Sequence, residues 1–318
     1  MRLALFISIA IVVAVSSTRG FEPPGPQKRL EAIGATNGLP AALQRAFTPD
    51  HDFQPVPVPG PQDWLAVHRE PGQTFDDFRR SQPNRPDTRR RIIYLQPLGD
   101  FRAQQSPSLE MLRQYAAEFF QMEVKALAPI SISASGVTSR TNSMTGRRQV
   151  LTGDVLHWLQ GKLPGDAFCL LGITMEDLYP EPSWNFVFGQ ASLNERVGVY
   201  SFARYDPAFY GEPRGKDHPA LLLRRSMKVL THETGHMFGL THCVYFNCVM
   251  NGSNHLQESD RRPLHLCPVC LRKLQFSVGF DVVKRYEALA QFDRQAGLED
   301  EATWVDRRLE KIRPSADN

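Results

Sequence analysis

Residues 231–250 read THETGHMFGLTHCVYFNCVM and crowd three histidines, one glutamate, two cysteines and two methionines into one short stretch. His232 and His236 are four apart, so on a helix their imidazoles lie one above the other on one face, where both can grip a single zinc ion. Glu233 is the next residue after His232, about 100 degrees round the helix. From there its carboxylate can reach a metal-bound water without itself binding metal. Gly239 suits the left-handed end of a helix, and a sharp turn there brings His242 back as a third ligand. Three histidines leave zinc a fourth position for water, whose pKa zinc lowers towards about 7.

The cysteines extend the same chemistry. Cys243 and Cys248 are five apart, and Cys267 and Cys270 form CPVC nineteen residues after Cys248. Two pairs separated by a loop are what a tetrahedral thiolate zinc site requires, so the expectation is a second, structural zinc. The competing reading is disulfides, either within each pair or across the loop, which a secreted chain would permit. Cys169, the fifth cysteine, lies in an apolar run and reads as a small buried hydrophobe. Met250, by composition, is a core gap-filler.

These residues need elements to position them. Residues 92–95 form a β-branched and aromatic run ended by Pro97 and Gly99, which predicts a buried strand. Ser106 and Pro107 start a helix whose apolar face, Leu109, Leu112, Ala116 and Phe119, carries it to about Gln121. A second strand is expected at 123–127. Thr152 is placed to cap a helix through Leu163, and 167–173 (AFCLLGI) is a wholly apolar strand of the kind found in a sheet centre. Strand-like runs follow at 185–188 and 197–203, so a peptide could add as a further strand beside one of them. The helix that carries His232, Glu233 and His236 starts at Asp217 or His218, with Pro219 in its first turn. A terminal helix is expected over 281–295. The fold class is α/β, with helices on a mixed, mainly parallel sheet.

The chain has 318 residues, 42% hydrophobic and 22% charged, which is globular composition. A net charge of +3 without a basic face excludes a nucleic-acid partner. Residues 1–20, with Arg2 and an apolar run from 3 to 15, resemble a secretory signal peptide, too short to span a bilayer comfortably and leaving no stable membrane insertion once removed. An uncleaved anchor and a misplaced start are the alternatives. Residues 21–88 form a Pro-rich extension, 89–295 the catalytic domain, and 296–318 a tail. Between the cysteine pairs, Glu258, Arg262 and His265 are expected to order the loop by local polar contacts.

HExxH extended by Gly239 and His242 is a metzincin signature. HETGHMFGLTHC, then CVM, a spacer and CPVC, together with ITMEDLYPEPSWNFVFGQASL, GVYSFARY and GSNHLQESDRRPLHLCPVCLRKLQFSVGF, resembles the archaemetzincins. That resemblance, over residues 60–290, implies a metzincin-like zincin domain with two Zn2+ per chain. His232, His236 and His242 would hold the catalytic ion, Glu233 would be the general base, and Cys243, Cys248, Cys267 and Cys270 would hold the structural one. Met250 would fill the methionine turn beneath the metal. The implied activity is hydrolysis of peptide bonds in peptide or protein substrates by a monomer, with aminopeptidase-type action on short peptides within its scope. The alternative is a non-catalytic zinc-stabilised protein-binding module, against which the intact Glu233 argues. The N-terminal run points to the secretory pathway, whereas a zinc-thiolate site fits the cytoplasm or nucleus.

Overall fold

The computed structural model describes residues 20–102, 105–133 and 136–313, so the signal-like segment lies outside the described residues. The extension carries four short helices, α1 (Pro26–Ile33), α2 (Ala41–Phe47), α3 (Trp64–Val67) and α4 (Phe75–Arg80). The body follows with β1 (Ile92–Leu98), α5 (Leu109–Phe120), β2 (Glu123–Ala126), β3 (Ser139–Thr141), β4 (Arg148–Leu151), α6 (Thr152–Gln160), β5 (Ala167–Thr174), β6 (Asp177–Tyr179), β7 (Gly189–Ala191) and β8 (Val197–Ser201). Five helices complete it: α7 (His218–Met237), α8 (Leu256–Asp260), α9 (Pro268–Val278), α10 (Val282–Gln295) and α11 (Glu299–Ile312).

The main sheet has the order β2-β1-β5-β8-β7. Its first four strands are mutually parallel and β7 runs antiparallel to β8. This is the mixed, mainly parallel sheet that the sequence predicts. Every residue of β1 and β5 is buried, because helices cover both faces of such a sheet and unbroken apolar runs satisfy both. Cys169 sits in β5 with no exposure, and burial pushes its thiol up. A small second sheet pairs β3, β4 and β6.

Several expectations need correction. β1 runs through Pro97 to Leu98, because the proline ring removes one donor while its carbonyl still accepts from the Ile130 N–H at 3.0 Å. Thr152 is not a cap: it is the first helical residue of α6, and its hydroxyl donates to the Tyr179 carbonyl at 3.3 Å. That helix stops at Gln160. Residues 185–188 form no strand, apart from a bridge of Val187 to Leu178, and the edge strand is the glycine-led β7. β8, at 197–201, is flanked on both sides, so its edge is already paired.

The extension is packed onto the body. Arg272 of α9 donates to the Ala35 carbonyl at 2.7 Å and to that of Ile33. Fully buried Arg308 donates to Asp50 at 2.6 Å. The 296–318 segment, expected as a tail, holds α11 instead. Its many charges conceal a stripe of Ala302, Val305, Leu309 and Ile312, all buried against α10 and α2. Trp304 of α11 stacks on His265 at 3.5 Å between ring centroids. Replacing Trp304 by Ala should therefore lower the unfolding free energy by about 3 to 5 kcal/mol in denaturant titrations; an unchanged midpoint would mean that this helix is not docked in solution.

Candidate metal centre

Proline occupies the first turn of α7 as expected, although the Asp217 side chain makes no capping hydrogen bond. At the other end Gly239 adopts φ +86°, and the Leu240 N–H returns to the Gly235 carbonyl at 3.1 Å. This left-handed closure reverses the chain and carries it to His242, as the sequence predicts. The three imidazoles converge, with ring centroids 4.6 to 5.1 Å apart.

Each ring is oriented from behind through Nδ1. His232 donates to the Val249 carbonyl at 2.9 Å and His236 to the Leu240 carbonyl at 2.6 Å. A carbonyl only accepts, so both protons sit on Nδ1 and both Nε2 atoms are bare lone pairs. Those two lone pairs face each other at 3.0 Å. Burial drives the His232 pKa well below its ordinary value, with His236 and His242 adding to the effect. Burial and His242 take His236 down to about 3, so a proton does not relieve the repulsion. A cation does: ligand nitrogens on tetrahedral zinc stand about 3.3 Å apart. His242 Nδ1 lies 2.7 Å from Glu70 Oε1, and Trp64 Nε1 donates to that same oxygen at 2.9 Å.

Glu233 is almost wholly buried beside this centre, and burial pushes its pKa up to about 8. It packs against Gly189 of β7, where an added Cβ would stand 2.6 Å from Glu233 Oε1. Met250 lies under α7 with no exposure, and a Cβ at Gly235 would meet its sulfur at 2.6 Å.

The four cysteines predicted to act together are brought together. All are buried, and their sulfur atoms lie within 4.8 Å of one another. Cys243 and Cys267 are 3.6 Å apart, far beyond the roughly 2.05 Å of a disulfide and near the roughly 3.8 Å expected of thiolates on one zinc. All five cysteines are free. Cys248 Sγ accepts from the Cys267 and Met250 N–H groups at 3.3 and 3.5 Å. The loop between the two centres is held by Asn251, which donates to the Cys243 and Phe246 carbonyls and accepts from the Cys248 N–H.

A third cluster, Asp63, His255 and Glu258, has ligand-like spacing, but its oxygens are already engaged. Asp63 accepts from Arg261, Gly60 and His255. Glu258 accepts from Arg262 and from the Trp64 and Asn254 N–H groups. Glu258 and Arg262 thus order the loop as expected and also fasten the extension. His265 joins them through its carbonyl, which accepts from the Val249 N–H at 3.1 Å, while its ring stacks on Trp304.

Sequence reasoning missed Glu70, Trp64, Gly189 and Asn251. No local spacing links Glu70 to His242, 172 residues away. The one usable signal was that each ligand histidine needs an acceptor for its second nitrogen. Trp64 is sensitive to its surroundings, because a Cβ at Gly252 would stand 2.5 Å from its rigid indole. Gly252→Ala should cost about 1 to 3 kcal/mol by denaturant unfolding, and a variant as stable as the parent would show that the indole is not held there.

Comparisons with known proteins place the chain among its relatives. A model described as peptidase family M54 matches residues 147–276. Archaemetzincin-2 of Macaca fascicularis is 44% identical over 79% of this chain and 77% of its own length. Archaemetzincin-1 of Homo sapiens is 32% identical over 83% of this chain and 61% of its own. A solved archaemetzincin from Methanopyrus kandleri is 33% identical, covers 60% of this chain and 97% of its own, and superposes with a TM-score of 0.47.

Proposed function

This chain belongs to peptidase family M54, the archaemetzincins, which are zinc metallopeptidases, and from that premise we propose that it hydrolyses peptide bonds with Glu233 as general base. His232, His236 and His242 would hold the catalytic zinc through Nε2, and Cys243, Cys248, Cys267 and Cys270 a second, structural ion. The observation that carries this is the pair of bare nitrogens of His232 and His236 facing each other 3.0 Å apart beside a buried carboxylate. When bound, zinc supplies a Lewis acid for the scissile carbonyl and acidifies water at its open coordination position.

The remaining work falls to the chain. The carboxylate of Glu233 takes a proton from the attacking water and returns it to the leaving amine. Burial alone favours its protonated form, and a zinc charge beside it would favour the carboxylate, so the two opposed effects would let Glu233 take up the proton and release it again. Among the described residues β7 has one neighbour in the sheet, β8, so its outer edge is where a substrate strand can pair. Gly189 on that strand leaves room for Glu233, which brings a paired peptide to the base. Trp64 stacks on His68 at 3.8 Å and His68 on Trp184 at 5.8 Å, linking the extension to the loop before β7. The reading takes in peptide substrates generally, aminopeptidase-type action on short peptides among them. Four free thiols facing one centre also favour a reducing compartment over an oxidising one.

Glu233→Gln should lower kcat on a fluorogenic peptide by about 100-fold or more while zinc content by elemental analysis stays at the parent level; turnover that survives the change removes Glu233 from the mechanism. The loop from Cys243 to Val249 supplies the acceptor for His232 and follows His242 directly. Cys267→Ser combined with Cys270→Ser should therefore reduce two zinc equivalents to one and speed release of the remaining ion. Release at the parent rate would show that the two centres are independent.

A further inference from the structure

We propose that Glu70 is a positioning residue of the metal centre: its carboxylate sets the tautomer and ring orientation in which His242 offers Nε2 to zinc. The proposal rests on the metallopeptidase reading above. It begins with an asymmetry among the three histidines. His232 and His236 donate to backbone carbonyls within the motif region, at Val249 and Leu240. His242 donates instead to a side-chain carboxylate from the extension, outside the 147–276 stretch that the family model matches. An anionic acceptor pulls harder on the Nδ1 proton than a carbonyl does and leaves Nε2 a stronger donor to a metal.

Glu70 is itself held in place. Trp64 Nε1 donates to the same oxygen at 2.9 Å, and the Trp64 ring meets His242 edge-on at 5.0 Å between centroids. The backbone N–H of Trp64 is shared by the two oxygens of fully buried Glu258 at 3.0 and 3.1 Å, and Gly252 leaves room for the indole. One chain of contacts therefore runs from Glu258 through Trp64 and Glu70 to His242. A residue that merely filled space against His242 would need none of these donors.

The test is zinc release from the full chain to an excess of a chromophoric chelator. The parent should show two phases, the histidine phase being identified by its loss in His236→Ala. Glu70→Ala should speed the histidine phase by about 10- to 100-fold and leave the cysteine phase unchanged. Glu70→Gln keeps an accepting oxygen but not the charge, so its rate should fall between the parent and Glu70→Ala. Trp64→Phe keeps the ring and removes the donor, giving a smaller acceleration of the same phase. Histidine-phase release at the parent rate in Glu70→Ala overturns the proposal, as does acceleration of both phases together, which marks general loosening of the fold. A parent that releases zinc from the cysteine site alone would instead sink the metallopeptidase reading, and the role of Glu70 with it.

Discussion

Two unprotonated imidazole nitrogens facing each other at 3.0 Å form an arrangement that a protein interior does not tolerate without a cation between them. They stay there because their Nδ1 atoms are tied from behind, and the ties come from separate parts of the chain. The Leu240 carbonyl is delivered by the glycine turn that ends α7, and the Val249 carbonyl by the loop that follows. Fixing the outward nitrogen of each ring fixes where the inward one points. Under the proposed zinc reading, the same ties that orient the two rings would present both nitrogens to one ion.

The loop that supplies Val249 also carries Cys243 and Cys248, so its conformation answers to both centres. Asn251 gathers three of its backbone groups, and the Cys243 N–H donates to the Met250 carbonyl at 2.8 Å. Met250 in turn fills the space that Gly235 leaves open beneath the helix. A bulkier residue at 235 would push the helix off this loop, and a looser loop would lose the His232 acceptor. The glycine is needed for close approach here, unlike Gly239, which is needed for its positive φ.

Much of this was legible in the residues. The i, i+4 histidines, the glycine turn and the two cysteine pairs are local patterns whose geometry follows from helix pitch and ligand chemistry, and the apolar runs of β1 and β5 could hardly lie anywhere but in a sheet centre. Failures cluster where tertiary packing overrides local preference. Residues 185–188 have strand composition, yet Phe188 stacks on Tyr205 and Phe186 lies under the Arg204 guanidinium, and pairing falls to Gly189–Ala191. α11 was hidden because charged residues outnumber the apolar ones on its stripe. Glu70 was invisible because its partner is remote in sequence, and nothing in a Pro-rich extension announces a role at a metal site.

The extension reaches the centre by way of α9. Cys267 is the N-cap of that helix and Cys270 lies in its first turn, and the next turn presents Arg272 and Lys273 to the extension. Arg272 donates to the carbonyl of Ile33 at the end of α1 and to that of Ala35 just beyond it, while Lys273 donates to the carbonyl and side-chain oxygens of Gln73. Gln73 then donates to the Gly239 carbonyl and accepts from the Thr241 N–H, so it braces the turn that leads into His242. The two cations are desolvated and donate to backbone carbonyls and one side-chain amide oxygen, so their hydrogen bonds are costly to break and their direction is well defined. Ordering α9 around four thiols therefore also orders Gln73, and through it both the turn before His242 and the segment that presents Glu70. Under the proposed two-zinc reading, the cysteine cluster would in this way help decide how well the histidine cluster holds its ion.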